Sequence, residues 1–287
     1  MTHYKPIAAA GIFGGEALSA FSMAYPDAHA HLAHGLAGHP LLAREVLAQV
    51  AERMPASSVE YNLGNVPLGL RPEDTPENGL SVGETIRTIG DNGSWAVLKN
   101  VEQLTEYAEL LNEALGQLEP YVLPKTGPML HREAFIFVTS PDSVTPFHID
   151  PEHNILLQIE GEKTMFVFPA GNEELVPATR SEAFAQGGHR NLEWREVFQD
   201  KATPVLLRPG EAVLMPVKAP HYVRNGGLVS VSISVTWRSE RSVAEGELHA
   251  FNSRLRKRGW PLVSISARPE RQSLARLGYR IARKLGI

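Results

Sequence analysis

The second half of the chain is written in short apolar runs separated by closely spaced turn residues. Ala134 to Thr139 reads as a strand, and Ser140-Pro141-Asp142-Ser143 as the turn leading into Thr145-Pro146-Phe147-His148. Ile155 to Ile159 and Thr164 to Phe168 are two further runs, joined through Glu160-Gly161-Glu162 as a hairpin would be. Pro204 to Arg208 meets the turn Pro209-Gly210-Glu211 and continues as Ala212 to Pro216, after which the chain reaches Ala219-Pro220-His221. Asn225-Gly226-Gly227 offers positive-φ positions for a tight turn into a last run, Leu228 to Trp237. So many short strands with so little chain between them predict a mainly β protein built on an antiparallel jelly-roll barrel.

Before and after this stretch the period changes. Pro40 to Arg53 carries apolar residues at helical spacing with a proline at its start, and Val101 to Gln117 reads as a second helix after a short strand, Val97 to Asn100. Residues 56 to 93 are rich in Gly, Pro, Asn and Asp, including Arg71 to Gly79, and read as a long loop region able to shape substrate entry. Residues 169 to 203 form a second insertion, either a substrate-selecting element or a passive excursion. Leu274, Leu277, Ile281 and Leu285 lie near one helical face of the C-terminal tail, with Arg276, Arg280, Arg283 and Lys284 mostly elsewhere. The expected organisation is an N-terminal helical and loop extension over 1–129, a barrel over 130–240 and a basic helical tail over 241–287.

The most informative chemistry in this frame is His148-Ile149-Asp150 followed far downstream by His221. Side chains alternate along a strand, so His148 and Asp150 at i and i+2 project to one face and can occupy adjacent corners of one metal's coordination sphere. A histidine from another strand completes a 2-His-1-carboxylate set suited to Fe(II), with the opposite positions open, unlike a closed structural zinc site. The histidines His29, His31, His34 and His39 sit in an Ala/Gly-rich stretch without a fixed acidic partner and are expected at the surface.

Composition sets outer limits. A chain of 287 residues with 43% hydrophobic content can bury a substantial core, as one barrel with appended helices. It has no cysteine, which excludes disulfides, thiolate ligands and a cysteine nucleophile. The apolar run Ile7 to Phe13 is short, is followed by Glu16 and lacks a strongly basic lead, and no stretch approaches the roughly 20 apolar residues of a membrane span, so a cytoplasmic protein is expected. Charge is uneven: residues 238–287 hold ten Arg, two Lys and four Glu, net +8, which leaves −12 on the first 237 residues of a chain whose total is −4. Such a tail could pack on the acidic body, form a homodimer contact or bind an anionic surface, with packing or dimerisation favoured. Nucleic-acid binding has no recognised module or aromatic platform behind it.

Several words occur in one order with consistent spacing: Val144 to Asp150, Asn154, Gly161-Glu162-Lys163 opening a strand that ends Phe166-Val167-Phe168-Pro169, Leu207 to Pro216, His221, Asn225-Gly226-Gly227 and a last strand ending at Trp237. In these the stretch from about 130 to 240 resembles the cupin-like Jumonji-C oxygenases, most of all the branch containing the asparaginyl hydroxylase that inhibits the hypoxia-inducible factor. The resemblance implies a double-stranded β-helix that uses Fe(II) and 2-oxoglutarate, with His148, Asp150 and His221 binding iron. It implies that Lys163 pairs with the distal carboxylate of 2-oxoglutarate, that Thr145 hydrogen-bonds the same carboxylate and that Asn154 lines the pocket. A buried carboxylate needs such a partner on physical grounds too, because an unpaired charge inside a barrel is very costly. The polar residue that the family places on the last strand has several candidates between Ser230 and Thr236, and no tyrosine here matches the family's cosubstrate-binding one. The implied activity is hydroxylation of a protein or peptide side chain or a small molecule. The alternatives are a non-catalytic cupin-like binding module and a cupin metalloenzyme that uses no ketoacid; Lys163 discriminates, since neither alternative needs a deep cation.

Overall fold

The computed structural model describes residues 11–64, 68–69, 74 and 76–285. Most of the apolar run that begins at Ile7, and part of the stretch from Arg71 to Gly79, lie outside the described residues.

Eleven strands among these form two antiparallel sheets. The larger contains β1 (Ala30–Ala33), β2 (Val59–Leu63), β3 (Ser94–Lys99), β4 (Leu130–Thr139), β6 (His153–Glu160), β9 (Glu211–Met215) and β11 (Ser230–Arg238), in the order β1-β9-β6-β11-β4-β3-β2. The smaller contains β5 (Val144–His148), β7 (Lys163–Val167), β8 (Thr203–Leu207) and β10 (His221–Asn225), in the order β5-β10-β7-β8. Strands β4 to β11 thus divide into two four-stranded layers, changing layer at every step except from β7 to β8, as in a double-stranded β-helix, and β1 to β3 widen one layer at both edges. Gly161 makes the β6–β7 hairpin possible: its φ is +66°, and a Cβ there would stand 2.1 Å from the carbonyl oxygen of Val229.

Three apolar clusters hold the layers. The outer face of the large sheet presents Ala134, Ile136, Val138, Ile155, Leu157, Val231, Ile233, Val235 and Trp237 to helices α1 (Gly15–Ala24), α2 (Arg44–Arg53) and α4 (Thr105–Thr126). Between the sheets lie Leu156, Met165, Val167, Val213, Met215 and Val223. Behind the small sheet, Phe147, Ile149, Phe168 and Tyr222 pack on Leu175, Leu192 and Phe198 of the 169–203 segment, which also carries α5 (Ala178–Ala185). Each fully buried aliphatic or aromatic side chain contributes about 1.5–3 kcal/mol, so the sandwich of helix layer, sheet, sheet and insertion is what stabilises the barrel.

The structure departs from several expectations drawn from the pattern. Residues 56–93 are not one loop, because they contain β2, α3 (Val82–Arg87) and the approach to β3; a capping box between Ser81 and Glu84 starts α3. The helix expected to end at Gln117 runs to Thr126 through Pro120 and Pro124, since Leu118 and Val122 continue its buried face, and it stops where Gly127 takes a positive φ. His34 and His39 are buried rather than at the surface. His34 Nε2 donates to the Gln158 carbonyl (3.0 Å) while its Nδ1 accepts from the Leu36 amide (3.0 Å), and burial lowers its pKa to about 4. His39 caps the turn before α2.

The tail forms α6 (Glu240–Lys257) and α7 (Ser273–Leu285). The apolar stripe of α7 does not pack on the body. Tyr279 does, 6.5 Å from the ring of Phe251, while Arg276 and Arg280 pair with Glu247 of α6. Among the described residues no helix is long and apolar enough to cross a membrane.

Candidate metal centre and its cavity

Both histidines and the aspartate converge at one end of the barrel. His221 opens β10 directly opposite His148, the last residue of β5, and the two rings lie 4.1 Å apart. Strand β5 ends there, so His148 and Asp150 do not share a regular ladder as the i, i+2 argument assumed. The alternation nevertheless continues: Phe147 and Ile149 bury themselves behind the sheet, leaving His148 and Asp150 to face the interior. What sustains it is the 169–203 segment. The Ile149 amide donates to the Arg190 carbonyl (3.2 Å) and the Leu192 amide to the Phe147 carbonyl (2.8 Å), so this insertion covers the free edge of β5.

The ligand atoms are prepared for a cation. Asp150 Oδ2 lies 3.7 Å from His148 Nε2 and 3.5 Å from His221 Nε2. His148 Nδ1 bonds the Pro146 carbonyl (2.7 Å) and His221 Nδ1 the Ala219 carbonyl (2.9 Å). A carbonyl only accepts, so both rings carry a proton on Nδ1 and turn Nε2 toward the centre. Burial, helped by His221, lowers the pKa of His148 to about 3, which keeps that imidazole neutral. Burial works to raise the Asp150 carboxyl, but His148, Arg190 and His221 outweigh it and hold it at about 2. Arg190 Nη1 stands 3.3 Å from Oδ1, leaving Oδ2 for the centre. Neutral imidazoles and an ionised carboxylate are the protonation states a divalent metal requires. Among the described residues this is the one His/Cys/Asp/Glu cluster whose ligand atoms all lie within 4.8 Å of one another.

A cavity of about 330 Å³ runs from this cluster into the barrel, and Thr145, Asn154 and Lys163 line it together with the cluster. Thr145, three residues before His148, would face away on a regular strand. A bulge reverses this: Thr145 pairs with Val223 and His148 with His221, so Pro146 and Phe147 together stand opposite Tyr222. Lys163 is 4% exposed, and its Nζ donates to Ser232 Oγ (2.9 Å) with no carboxylate pairing it among the described residues. Burial alone lowers its pKa to about 7. Asn154 Oδ1 and Ser234 Oγ, also on the cavity wall, have no hydrogen-bond partner among the described residues. A half-charged buried amine beside two orphaned polar atoms is costly as it stands and fits a small anionic ligand reaching into the barrel. The pattern of residues did not single out Arg190 or Ser232; the first lies in an insertion with no periodicity and the second in a run of similar candidates.

Strands β2 and β3 bring Glu60, Trp95 and Val97 to the same cavity, with His189, Arg190 and Asn191 also lining it. Fold and cluster together define a double-stranded β-helix protein with an open 2-His-1-carboxylate centre. The chain belongs to the cupin-like domain family, whose profile matches residues 82–242, more than half its length. Curated relatives include the Jumonji C domain-containing protein 5 of Drosophila melanogaster, 34% identical over 102 residues, and the lysine-specific demethylase JMJ30 of Arabidopsis thaliana, 32% identical over 104. These alignments take in 33% and 34% of this chain but only 25% and 24% of the relatives. Among solved structures, YcfD of Escherichia coli superimposes over 93% of this chain and 67% of its own, with a TM-score of 0.52 and 15% identity. A second YcfD structure, described as a ribosomal oxygenase in complex with cobalt and 2-oxoglutarate, matches 91% of this chain and 65% of its own, with the same score and identity. At that identity the likeness establishes the shared fold.

Proposed function

We propose that this protein is an Fe(II)- and 2-oxoglutarate-dependent oxygenase that hydroxylates a protein or peptide side chain. The observation that carries the reading is Lys163, a buried cation without a carboxylate partner in the cavity that begins at the His148–Asp150–His221 cluster. A metalloenzyme without a ketoacid, or a binding module, has no use for such a group, and maintaining it costs folding energy.

In this reading His148 Nε2, His221 Nε2 and Asp150 Oδ2 hold the metal from one side, and their fixed tautomers and the Arg190 contact keep them aimed. Lys163 and Thr145 hold the distal carboxylate of 2-oxoglutarate, Ser232 orients the lysine, and Asn154 and Ser234 line the pocket. Leu156, Met165 and Val223 supply the apolar part of its wall. When bound, iron and 2-oxoglutarate would supply the oxidising chemistry with dioxygen as the oxidant, one of its oxygen atoms ending in the succinate that forms together with carbon dioxide and the other in the hydroxyl of the substrate. A protein or peptide substrate is supported by the names of the relatives, a ribosomal oxygenase and a lysine-specific demethylase, and by the mouth formed from Glu60, Trp95 and His189. A cytoplasmic setting belongs to the same reading.

Anaerobic titration with Fe(II), with and without 2-oxoglutarate, tests it. The expected result is a visible metal-to-ligand charge-transfer band only when both are present. Tight iron binding with no spectral change on adding the ketoacid would assign the centre to another kind of cupin metalloprotein, and no iron binding would leave a binding module.

A further inference from the structure

Helix α7 is built the wrong way round for a helix that only packs on its own protein. Its apolar residues Leu274, Leu277, Ile281 and Leu285 follow helical spacing and are 84%, 53%, 51% and 65% exposed. The side that meets α6 is instead small and basic. Gly278 approaches so closely that a Cβ would lie 3.3 Å from Phe251, Tyr279 is buried, and Arg276 and Arg280 bind Glu247. The order of contacts, Glu247 with Arg276, Phe251 with Tyr279 and Arg254 with the Ala282 carbonyl, shows that α7 runs parallel to α6. Their C-terminal ends therefore lie together, and the exposed Trp260 and the basic Lys257 and Arg258 stand at the same end as Ile281, Arg283, Lys284 and Leu285.

We propose that the outward stripe of α7 and its flanking arginines and lysines dock this protein onto an anionic phospholipid surface. The helix holds no Asp or Glu; Arg276 and Arg280 are taken up by Glu247, and the exposed cations are Arg283 and Lys284, with Lys257 and Arg258 at the same end. Two copies meeting stripe to stripe would bring the exposed Arg283 and Lys284 of each helix together with no acidic residue of α7 to oppose them, and Glu247 already taken, which disfavours a second copy as the occupant. A lipid headgroup layer is complementary in both respects. An amphipathic helix lies in its plane with the apolar side chains about 5–10 Å below the headgroups, while each nearby Lys or Arg gains from the negative surface potential. Trp260 has the amphipathic ring favoured at that boundary. Binding would be peripheral and reversible.

Co-sedimentation of the full chain with vesicles of equimolar phosphatidylglycerol and phosphatidylcholine, against phosphatidylcholine alone, tests the assignment. Binding is expected to the first only, and should fall steeply as salt rises. Leu277→Asp with Ile281→Asp should weaken it roughly tenfold or more, and so should the charge reversal Arg283→Glu with Lys284→Glu, with unchanged circular dichroism in both. Absence of binding to the anionic vesicles, equal binding to both kinds, or binding unaffected by either pair of substitutions would overturn the proposal. A parent dimer in analytical ultracentrifugation that Leu277→Asp with Ile281→Asp converts to monomer, without vesicle binding, would assign the stripe to a second copy instead.

Discussion

The two faces of β11 are equally buried and chemically opposite. Val231, Ile233, Val235 and Trp237, none more than 1% exposed, form the outer face and pack on the helix layer. Ser230, Ser232, Ser234 and Thr236, none more than 4% exposed, form the inner face. Hydrocarbon buried on the first needs nothing further, whereas every hydroxyl buried on the second needs a partner. Ser230 Oγ accepts from Gln158 Nε2, Ser232 Oγ from Lys163 Nζ, and Thr236 Oγ1 donates to the Glu133 carbonyl. Ser234 has no partner among the described residues, and it is the one of the four that lines the cavity. Stability and chemistry are thus written into alternate positions of one strand: the outer set holds the barrel closed, and the inner set holds a polar, partly unsatisfied interior ready for a ligand.

Substitutions on the two sides should therefore separate folding from binding. Asp150→Ala is expected to have the largest effect on the interior, lowering iron affinity by more than the ~10–100-fold typical of losing only an outer hydrogen-bond partner of a metal ligand. The thermal unfolding midpoint should stay near that of the parent, and full iron occupancy in this variant, measured by metal analysis after dialysis, would count against the three-residue centre.

Lys163→Met keeps the aliphatic bulk and removes the cation. Breaking a buried charge pair costs about 3–5 kcal/mol, so the affinity for 2-oxoglutarate should fall by roughly two to four powers of ten while Fe(II) binding changes little. Calorimetric titration of both ligands checks the separation; unchanged ketoacid affinity would remove the lysine from the site.

On the outer face, Trp237→Ala should behave in the converse way. The indole is fully buried, stacks on His153 at 5.4 Å and donates from Nε1 to the Tyr25 hydroxyl (3.3 Å). Its loss should cost about 3–5 kcal/mol in denaturant unfolding. Iron and 2-oxoglutarate affinities of the fraction that remains folded should be close to the parent's, and a selective loss of ligand binding would blur the division between the faces.

The smallest effect is in pH. Lys163 titrates at about 7 in the fold against 10.5 for an exposed lysine. Between those values the unfolded chain holds a proton that the native protein has released, so the stability of the ligand-free protein gains a positive slope with pH from this group. Below about 7 both states are protonated and the cost of burying the charge is present in full. Lys163→Met should flatten the rise between pH 7 and 9 relative to the parent, as read by urea unfolding at the two pH values. An identical slope in both proteins would show that the amine is not desolvated.

Much of the barrel is legible in the chain because a strand's period of two makes every position declare a face. The runs at 134–139, 155–159, 164–168 and 228–237 correspond to β4, β6, β7 and β11 within a few residues. The six site candidates, Thr145, His148, Asp150, Asn154, Lys163 and His221, come to line one cavity. What was illegible depended on partners distant in sequence. Strand β2 sits in a segment poor in apolar alternation and exists because β3, itself paired with β4, offers it an edge. The 169–203 insertion reads as either a substrate-selecting element or a passive excursion, and its Arg190 and Leu192 hold the segment that carries His148 and Asp150.

The local alternation of side chains and the spacing of turns determined the run of short antiparallel strands, the placing of His148 and Asp150 on one face and the amphipathic character of the tail, because each depends only on neighbours along the chain. Tertiary structure alone decided the rest. A bulge opposite β10 turned Thr145 inward, packing on α6 sent the apolar stripe of α7 outward, and the meeting of β7 with β11 surrounded Lys163 with hydroxyls rather than carboxylates. These outcomes turn on which surfaces compete for the same space, and a one-dimensional pattern records a residue's preference for burial without recording what will be there to bury it.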